Sequence, residues 1–156
     1  MGGPRPSQKT GQGSGNPPAR LRIRLAAEHR GQIVRMCLAA LPLEACGLLL
    51  GRREGATAEV TEILPAANTR ASPDRYEIAP ETVLAADRRA RESGQLLLGA
   101  WHSHPGGAPV PSDTDRAEAW PDWCYLIVGL ADPGQPQLRA WRLLGEDFVA
   151  DTLEIE

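Results

Sequence analysis

Trp101-His102-Ser103-His104-Pro105-Gly106-Gly107-Ala108-Pro109-Val110-Pro111-Ser112-Asp113-Thr114-Asp115 is the stretch around which the chain is organised. It holds two of the three histidines, two residues apart, and an aspartate eleven residues further on. The apolar run before it, Leu96-Leu97-Leu98-Gly99-Ala100-Trp101, reads as a buried strand. Residues two apart on a strand face the same way, so His102 and His104 can aim at one point from the strand's end. A Pro- and Gly-rich loop then turns the chain. Pro111-Ser112-x-x-Asp115 has the form of a helix start, and the helix is expected from Ser112 to about Trp120. Two imidazoles and a carboxylate form a donor set that zinc accepts, with a fourth position left for water.

Each part also has a plainer reading. A lone His-x-His is weak evidence for a metal. Ser112-x-x-Asp115 is a capping signature in its own right, although Asp115 can cap and ligate with different oxygens. Cys37, Cys46 and Cys124 read as small core residues, Trp101 and Trp123 as core, and His29 as an exposed helix residue.

Outward from this stretch the chain alternates strands and helices. Leu21 to Leu25 alternates as a half-buried strand, and Ala26 to Leu41 has a helical stripe of Ile33, Val34, Cys37, Leu38 and Leu41, ended by Pro42. Cys46 to Leu50 reads as a central strand, with Glu44 at its mouth and a turn at Glu54-Gly55. Ala58 to Leu64 is its hairpin partner, and Tyr76 to Ile78 is a short strand candidate. Pro80 opens a helix that stops at Gly94, with Glu81 near its start and Arg88, Arg89 and Arg91 near its end, in accord with the helix dipole. Trp123 to Leu130, Leu138 to Leu144 and Phe148 to Ile155 complete the strands. The expected class is α/β or α+β, a single mixed β-sheet covered by helices.

The bulk properties exclude several classes. With 156 residues the chain has room for one domain with a real core. A net charge of −3 does not suggest a nucleic-acid or membrane partner. Three cysteines without a paired spacing indicate reduced thiols, hence a cytoplasmic setting. No run reaches the roughly 18 to 20 apolar residues of a membrane span, and the N-terminus lacks a signal-peptide core. Residues 1–19, rich in Gly, Pro, Ser, Gln and Asn, are expected to form a disordered N-terminal tail ahead of a domain spanning 20–156.

Glu44 adds a fourth group, an acid beside a tight glycine turn and suited to proton transfer. Ser112 adds a hydroxyl able to stabilise an oxyanion. The combination of Glu44, His102-Ser103-His104-Pro105, Ser112 and Asp115 resembles the JAMM/MPN metalloprotease family. That family's signature is an upstream Glu, then His-x-His, seven residues, Ser, two residues and Asp. The segment Glu44-Ala45-Cys46-Gly47-Leu48-Leu49-Leu50-Gly51 and the steps Pro65-x-x-Asn68 and Tyr76-x-Ile78-x-Pro80 are similar to it as well, so the likeness covers about residues 21 to 156. It is strongest to the short prokaryotic branch.

The resemblance implies an MPN or cytidine-deaminase-like architecture and one Zn2+ held by His102, His104 and Asp115. It implies Glu44 as general base and acid, and Ser112 as oxyanion donor. It also implies hydrolysis of the amide or isopeptide bond after the C-terminal Gly-Gly of a ubiquitin-like or sulfur-carrier protein, whose tail would add as a strand to a sheet edge. Two other readings stand beside it. One is a non-catalytic scaffold that binds a ubiquitin-like partner. The other is a RadC-like DNA-repair-associated protein, which shares the His-x-His-Pro segment. The insertions that hold a second ubiquitin in linkage-specific members are absent from the short stretch between Asp115 and Trp123.

Overall fold

The computed structural model describes residues 20–156; the tail expected over 1–19 lies outside them. Seven strands and three helices follow one another as β1 (Arg22–Leu25), α1 (Ala27–Ala40), β2 (Cys46–Glu54), β3 (Thr57–Ala66), α2 (Pro80–Glu92), β4 (Leu96–His104), α3 (Asp113–Glu118), β5 (Cys124–Gly129), β6 (Gln137–Leu144) and β7 (Asp147–Ile155). The mixed α+β content expected from the sequence is present. The arrangement of the sheet differs from the expectation. The strands run in the order β1-β3-β2-β4-β5-β6-β7 and close on themselves, because β1 pairs in parallel with both β3 and β7. An edge strand flanked on both sides leaves no free ladder, which is how a sheet of this size removes its edges. Four residues of local alternation cannot reveal two non-local neighbours.

The two faces of the sheet pack separately. Leu49, Trp101, Leu126 and Val128 join Ile33 and Cys37 of α1 and Ile23 and Leu25 of β1 in one cluster. Leu48, Leu50, Ala100 and Tyr125 join Ala86 and Ala90 of α2 in the other. Neighbouring residues on one strand therefore serve opposite cores, as the period of two requires. Burial of β2 and β4 on both faces explains their unbroken apolar runs. Cys37, Cys46 and Cys124 are buried free thiols, as expected of core residues.

Three local expectations are corrected. Tyr76 to Ile78 forms no strand; Asn68 and Thr69 bond this segment instead, through Glu77 N–H to Asn68 Oδ1 at 3.1 Å and Thr69 N–H to Glu77 O at 2.9 Å. The third helix is shorter than Ser112 to Trp120: it spans six residues, ended by extended backbone at Ala119, with Trp120 N–H bonded to Tyr125 Oη at 2.7 Å. His29 is half-buried rather than exposed. Among the described residues no helix is long and apolar enough to cross a membrane.

Two glycines bring backbone and side chains close to the histidine strand. A Cβ on Gly47 would stand 2.3 Å from the Trp101 ring, so only glycine lets that indole lie across β2. A Cβ on Gly129 would stand 2.5 Å from Pro109, so glycine there lets the loop after His104 rest on the end of β5. The loop is pinned further by Leu130 N–H to His104 O at 3.0 Å and Trp141 Nε1–H to Pro109 O at 2.9 Å.

Candidate active site

Strand pairing assembles the site. β2 and β4 run antiparallel with Cys46 opposite His102, and the ladder continues through Ser103 N–H to Ala45 O at 3.1 Å. Just beyond it, Glu44 comes close to both histidines. The Ser103 side chain, turned to the other face, accepts the Ala45 N–H at 2.9 Å and so holds the Glu44 segment. Asn68 adds a second clamp, its Nδ2 donating to Glu44 O at 3.2 Å and to Arg75 O at 2.9 Å. A third is Glu44 N–H to Ser72 O at 2.8 Å.

The crossover from β4 to the parallel β5 carries the other two groups. Ser112 is the N-cap of α3. Its Oγ accepts Asp115 N–H at 3.1 Å, and Asp115 Oδ2 accepts Ser112 N–H at 2.9 Å. This reciprocal box fixes the carboxylate of so short a helix, and a cap of this kind stabilises by about 1 kcal/mol. The same Oδ2 lies 3.0 Å from His104 Nε2, and Oδ1 lies 3.2 Å from His102 Nε2. Oδ2 thus caps the helix and also lies against His104, while Oδ1, free of the cap, lies against His102.

His102 Nε2 and His104 Nε2 are 3.2 Å apart. Each of these nitrogens lies against a different oxygen of Asp115, so the carboxylate spans both imidazoles. Ligands about 2.0–2.1 Å from a tetrahedral zinc ion would be separated by about 3.3 Å, close to the spacing of the two ring nitrogens. Hydrogen bonding points the same way. His104 Nδ1–H donates to Ala108 O at 2.9 Å, which makes Nε2, the nitrogen turned to Asp115, the one available to a metal. Glu44 also belongs to the neighbourhood, since ligand atoms of Glu44, His102 and His104 lie within 4.8 Å of one another. Asp115 is the carboxylate in contact with both imidazoles.

The electrostatics separate the groups. His102 is 1% exposed, and burial pulls its imidazolium down, giving the neutral ring a metal requires. Its ring stacks on Tyr76, with centroids 4.5 Å apart. Burial also lowers His104, but its bonds to Asp115 and Ala108 outweigh this and leave it raised. Burial acts to raise Asp115; the bonds from His102 and His104 overcome it and hold the carboxylate well below its usual range. Glu44 is 3% exposed, and burial, only partly countered by His104, pushes its carboxyl up to about 8. Its Oε1 is buried with no partner among the described residues. A carboxyl with a raised pKa and one unsatisfied oxygen is ready to hold or release a proton near neutrality.

Two hollows adjoin the cluster. One, of about 260 Å³, is lined by His102, Asp115, Tyr76, Ile78, Trp120 and Trp123, among others, with Trp120 62% exposed at its mouth. The second contains Glu44, His104 and Ser112, with Pro73, Asp74 and Val110. All five residues singled out in the sequence are brought together. Sequence reasoning gave no role to Asn68, Tyr76 and Ser103. Ser103 had a signal, since a small polar residue between two inward-aimed histidines must face the other way. The stacking of Tyr76 and the bonds of Asn68 depend on an irregular loop.

Residues 26–144 match the family of prokaryotic homologs of the JAB domain. The desampylase of Haloferax volcanii is 33% identical over 141 residues, 86% of this chain and 97% of that protein. The CysO-cysteine peptidase of Mycobacterium tuberculosis is 32% identical over 66% of this chain and 70% of its own length. A protein of Desulfitobacterium hafniense, solved in solution, superimposes with a TM-score of 0.79 at 32% identity, covering 86% of this chain and 92% of that one.

Proposed function

The chain belongs to the family of prokaryotic homologs of the JAB domain, and from that membership we propose that residues 20–156 form a zinc-dependent peptidase of the JAMM/MPN type. It hydrolyses the amide or isopeptide bond after the C-terminal Gly-Gly of a ubiquitin-like or sulfur-carrier protein. The observation that carries this reading is the convergence of His102 Nε2, His104 Nε2 and the Asp115 carboxylate, with the unpartnered Oε1 of Glu44 beside it. Relatives named desampylase and CysO-cysteine peptidase supply the substrate class. The three buried free thiols fit a cytoplasmic enzyme.

His102, His104 and Asp115 would hold one zinc ion per chain. When bound, zinc supplies a Lewis acid for the carbonyl and lowers the pKa of water toward about 7. Glu44 takes one proton from the attacking water and returns it to the leaving nitrogen as the C–N bond breaks and the new C–O bond forms. Ser112 Oγ already accepts from Asp115 N–H, so its own proton is free to be donated to the oxyanion. Tyr76 and Ala108 orient the two imidazoles, and Asn68 and Ser103 hold the backbone that carries Glu44.

The test is metal analysis of the purified protein together with turnover of a carrier joined through Gly-Gly to a lysine. About one zinc per chain and release of the intact Gly-Gly carrier are expected, with kcat reduced about 1000-fold in Glu44→Gln. Zinc content without turnover, unchanged by that substitution, would instead indicate a binding scaffold.

A further inference from the structure

Resting on the peptidase reading above, we propose that the hollow beside Glu44 receives the amine half of the substrate. Asp74 on its wall selects a lysine joined through its ε-nitrogen over an amino acid bearing a free carboxylate next to the scissile bond.

The assignment of the hollow follows from proton transfer. The group that protonates the leaving nitrogen must stand within hydrogen-bond reach of it. Glu44 lines this hollow together with Ser112, whereas the hollow with the exposed tryptophan is lined by His102 and Asp115 and contains neither Glu44 nor Ser112. The amine half therefore lies with Glu44, and the Gly-Gly half lies toward the tryptophans. At about 380 Å³ the hollow has room for one long side chain.

Its chemistry is one-sided. Ten residues line it, Asp74 and Glu44 bring carboxyl groups, and no lysine or arginine is among them. Pro73, Pro105 and the half-exposed Val110 supply apolar surface for an aliphatic stem. The wall is built rather than incidental. Asp74 Oδ1 accepts Ser72 Oγ–H at 2.7 Å, and Asp74 N–H donates back to Ser72 Oγ at 3.2 Å. Ser72 O in turn accepts Glu44 N–H at 2.8 Å. The Glu44 carboxyl faces this space with Oε1 unpartnered and the residue 3% exposed.

A bound dication is offset by Asp115 and Glu44, so Asp74 remains as the surplus negative charge on the amine side. A leaving amino acid with a free carboxylate would place a second anion against it. A lysine isopeptide brings a neutral amide and an aliphatic stem, and its amine becomes a cation only once released. Asp74 is exposed, and like charges about 4 Å apart in water discriminate by about fivefold.

The test uses the zinc-loaded full chain and one sulfur-carrier protein ending in Gly-Gly, prepared by semisynthesis with three leaving groups: Nα-acetyl-lysinamide through its ε-nitrogen, alaninamide, and alanine with its carboxylate free. For the parent protein, kcat/KM is expected to be about fivefold higher for the first two than for the free acid. Asp74→Asn, which keeps the acceptor for Ser72, is expected to narrow the gap between alaninamide and alanine to within about twofold. Equal rates on alaninamide and alanine in the parent, or a gap that Asp74→Asn leaves unchanged, would overturn the inference while leaving the peptidase intact. If no probe is cleaved by protein that contains zinc, the peptidase reading fails and this inference fails with it.

Discussion

The protein buries two polar clusters, and they are built on opposite principles. At one, Arg142 meets Asp151 twice, Nε to Oδ2 at 2.7 Å and Nη2 to Oδ1 at 3.0 Å, while Leu21 N–H reaches Oδ1 at 2.9 Å. Asp122 stands 3.6 Å from the remaining guanidinium nitrogen. Donors meet acceptors throughout, and β1, β6 and β7 are tied together where the sheet closes. At the other, the Nε2 atoms of His102 and His104 face each other and a carboxylate, and Glu44 Oε1 and His102 Nδ1 lack partners among the described residues. A buried polar group left unmatched costs about 1–3 kcal/mol. The first cluster is complete within the chain and serves the fold. The second is left with unmatched groups, which fits the metal, water and substrate proposed for it.

That contrast can be broken at either cluster, and the largest effect is expected at the centre. Asp115→Ala removes the donor that touches both imidazoles. Zinc is expected to fall from about one per chain to near none, and activity by about 1000-fold or more, read by metal analysis and initial rates. If zinc binding persists with Glu44 as third donor, the assignment of Asp115 is wrong.

Asp151→Ala strands Arg142 in the core and should destabilise the fold by about 3–5 kcal/mol in urea denaturation. Zinc stoichiometry and kcat of the folded fraction should remain those of the parent. A loss of metal without a loss of stability would erase the distinction between the clusters.

Ser112→Ala joins the two effects on a smaller scale. A fall in kcat of about 100-fold is expected for the lost oxyanion donor. The lost cap should cost about 1 kcal/mol. Thermal stability and kcat measured on one preparation separate the two roles.

The smallest effect sharpens the comparison through pH. Glu44 is raised by burial to about 8 in the fold, above the 4.5 of an unperturbed glutamate. Between these values the folded state binds more protons than the unfolded state. The contribution is fully present below about pH 4.5 and is lost as pH rises through about 8. Metal-free Glu44→Gln should therefore melt several degrees above the metal-free parent at pH 8.5, with the gap closing near pH 4.5. Parallel melting curves across that range would show that Glu44 is not strained by its burial. The activity lost and the stability gained by one substitution would together mark a site held in place at the expense of the fold.

Much of this was legible along the chain because the signals are local. The helical stripe of α1, Pro80 and Gly94 bounding α2, and the capping spacing of Ser112 and Asp115 depend on neighbours within a turn or two. The shared face of His102 and His104 follows from the pleat alone. The irregular segment from Asn68 to Ile78 was misread as containing a strand, because its hydrogen bonds go to the Asn68 and Thr69 corner rather than to a ladder. The closure through β1 was missed, because parallel pairing with β3 and β7 leaves no trace in four alternating residues.

By itself, then, the sequence picked out the candidate side chains and the faces they occupy, since residue type, spacing and backbone period are properties of a segment. Only the tertiary structure decided that Glu44 comes close to His102 and His104 and that one Asp115 oxygen both caps and lies against His104. It also decided that Asp74 shares a wall with Glu44. Each of these depends on the register between strands or on the path of a loop, set by packing between residues far apart in the chain.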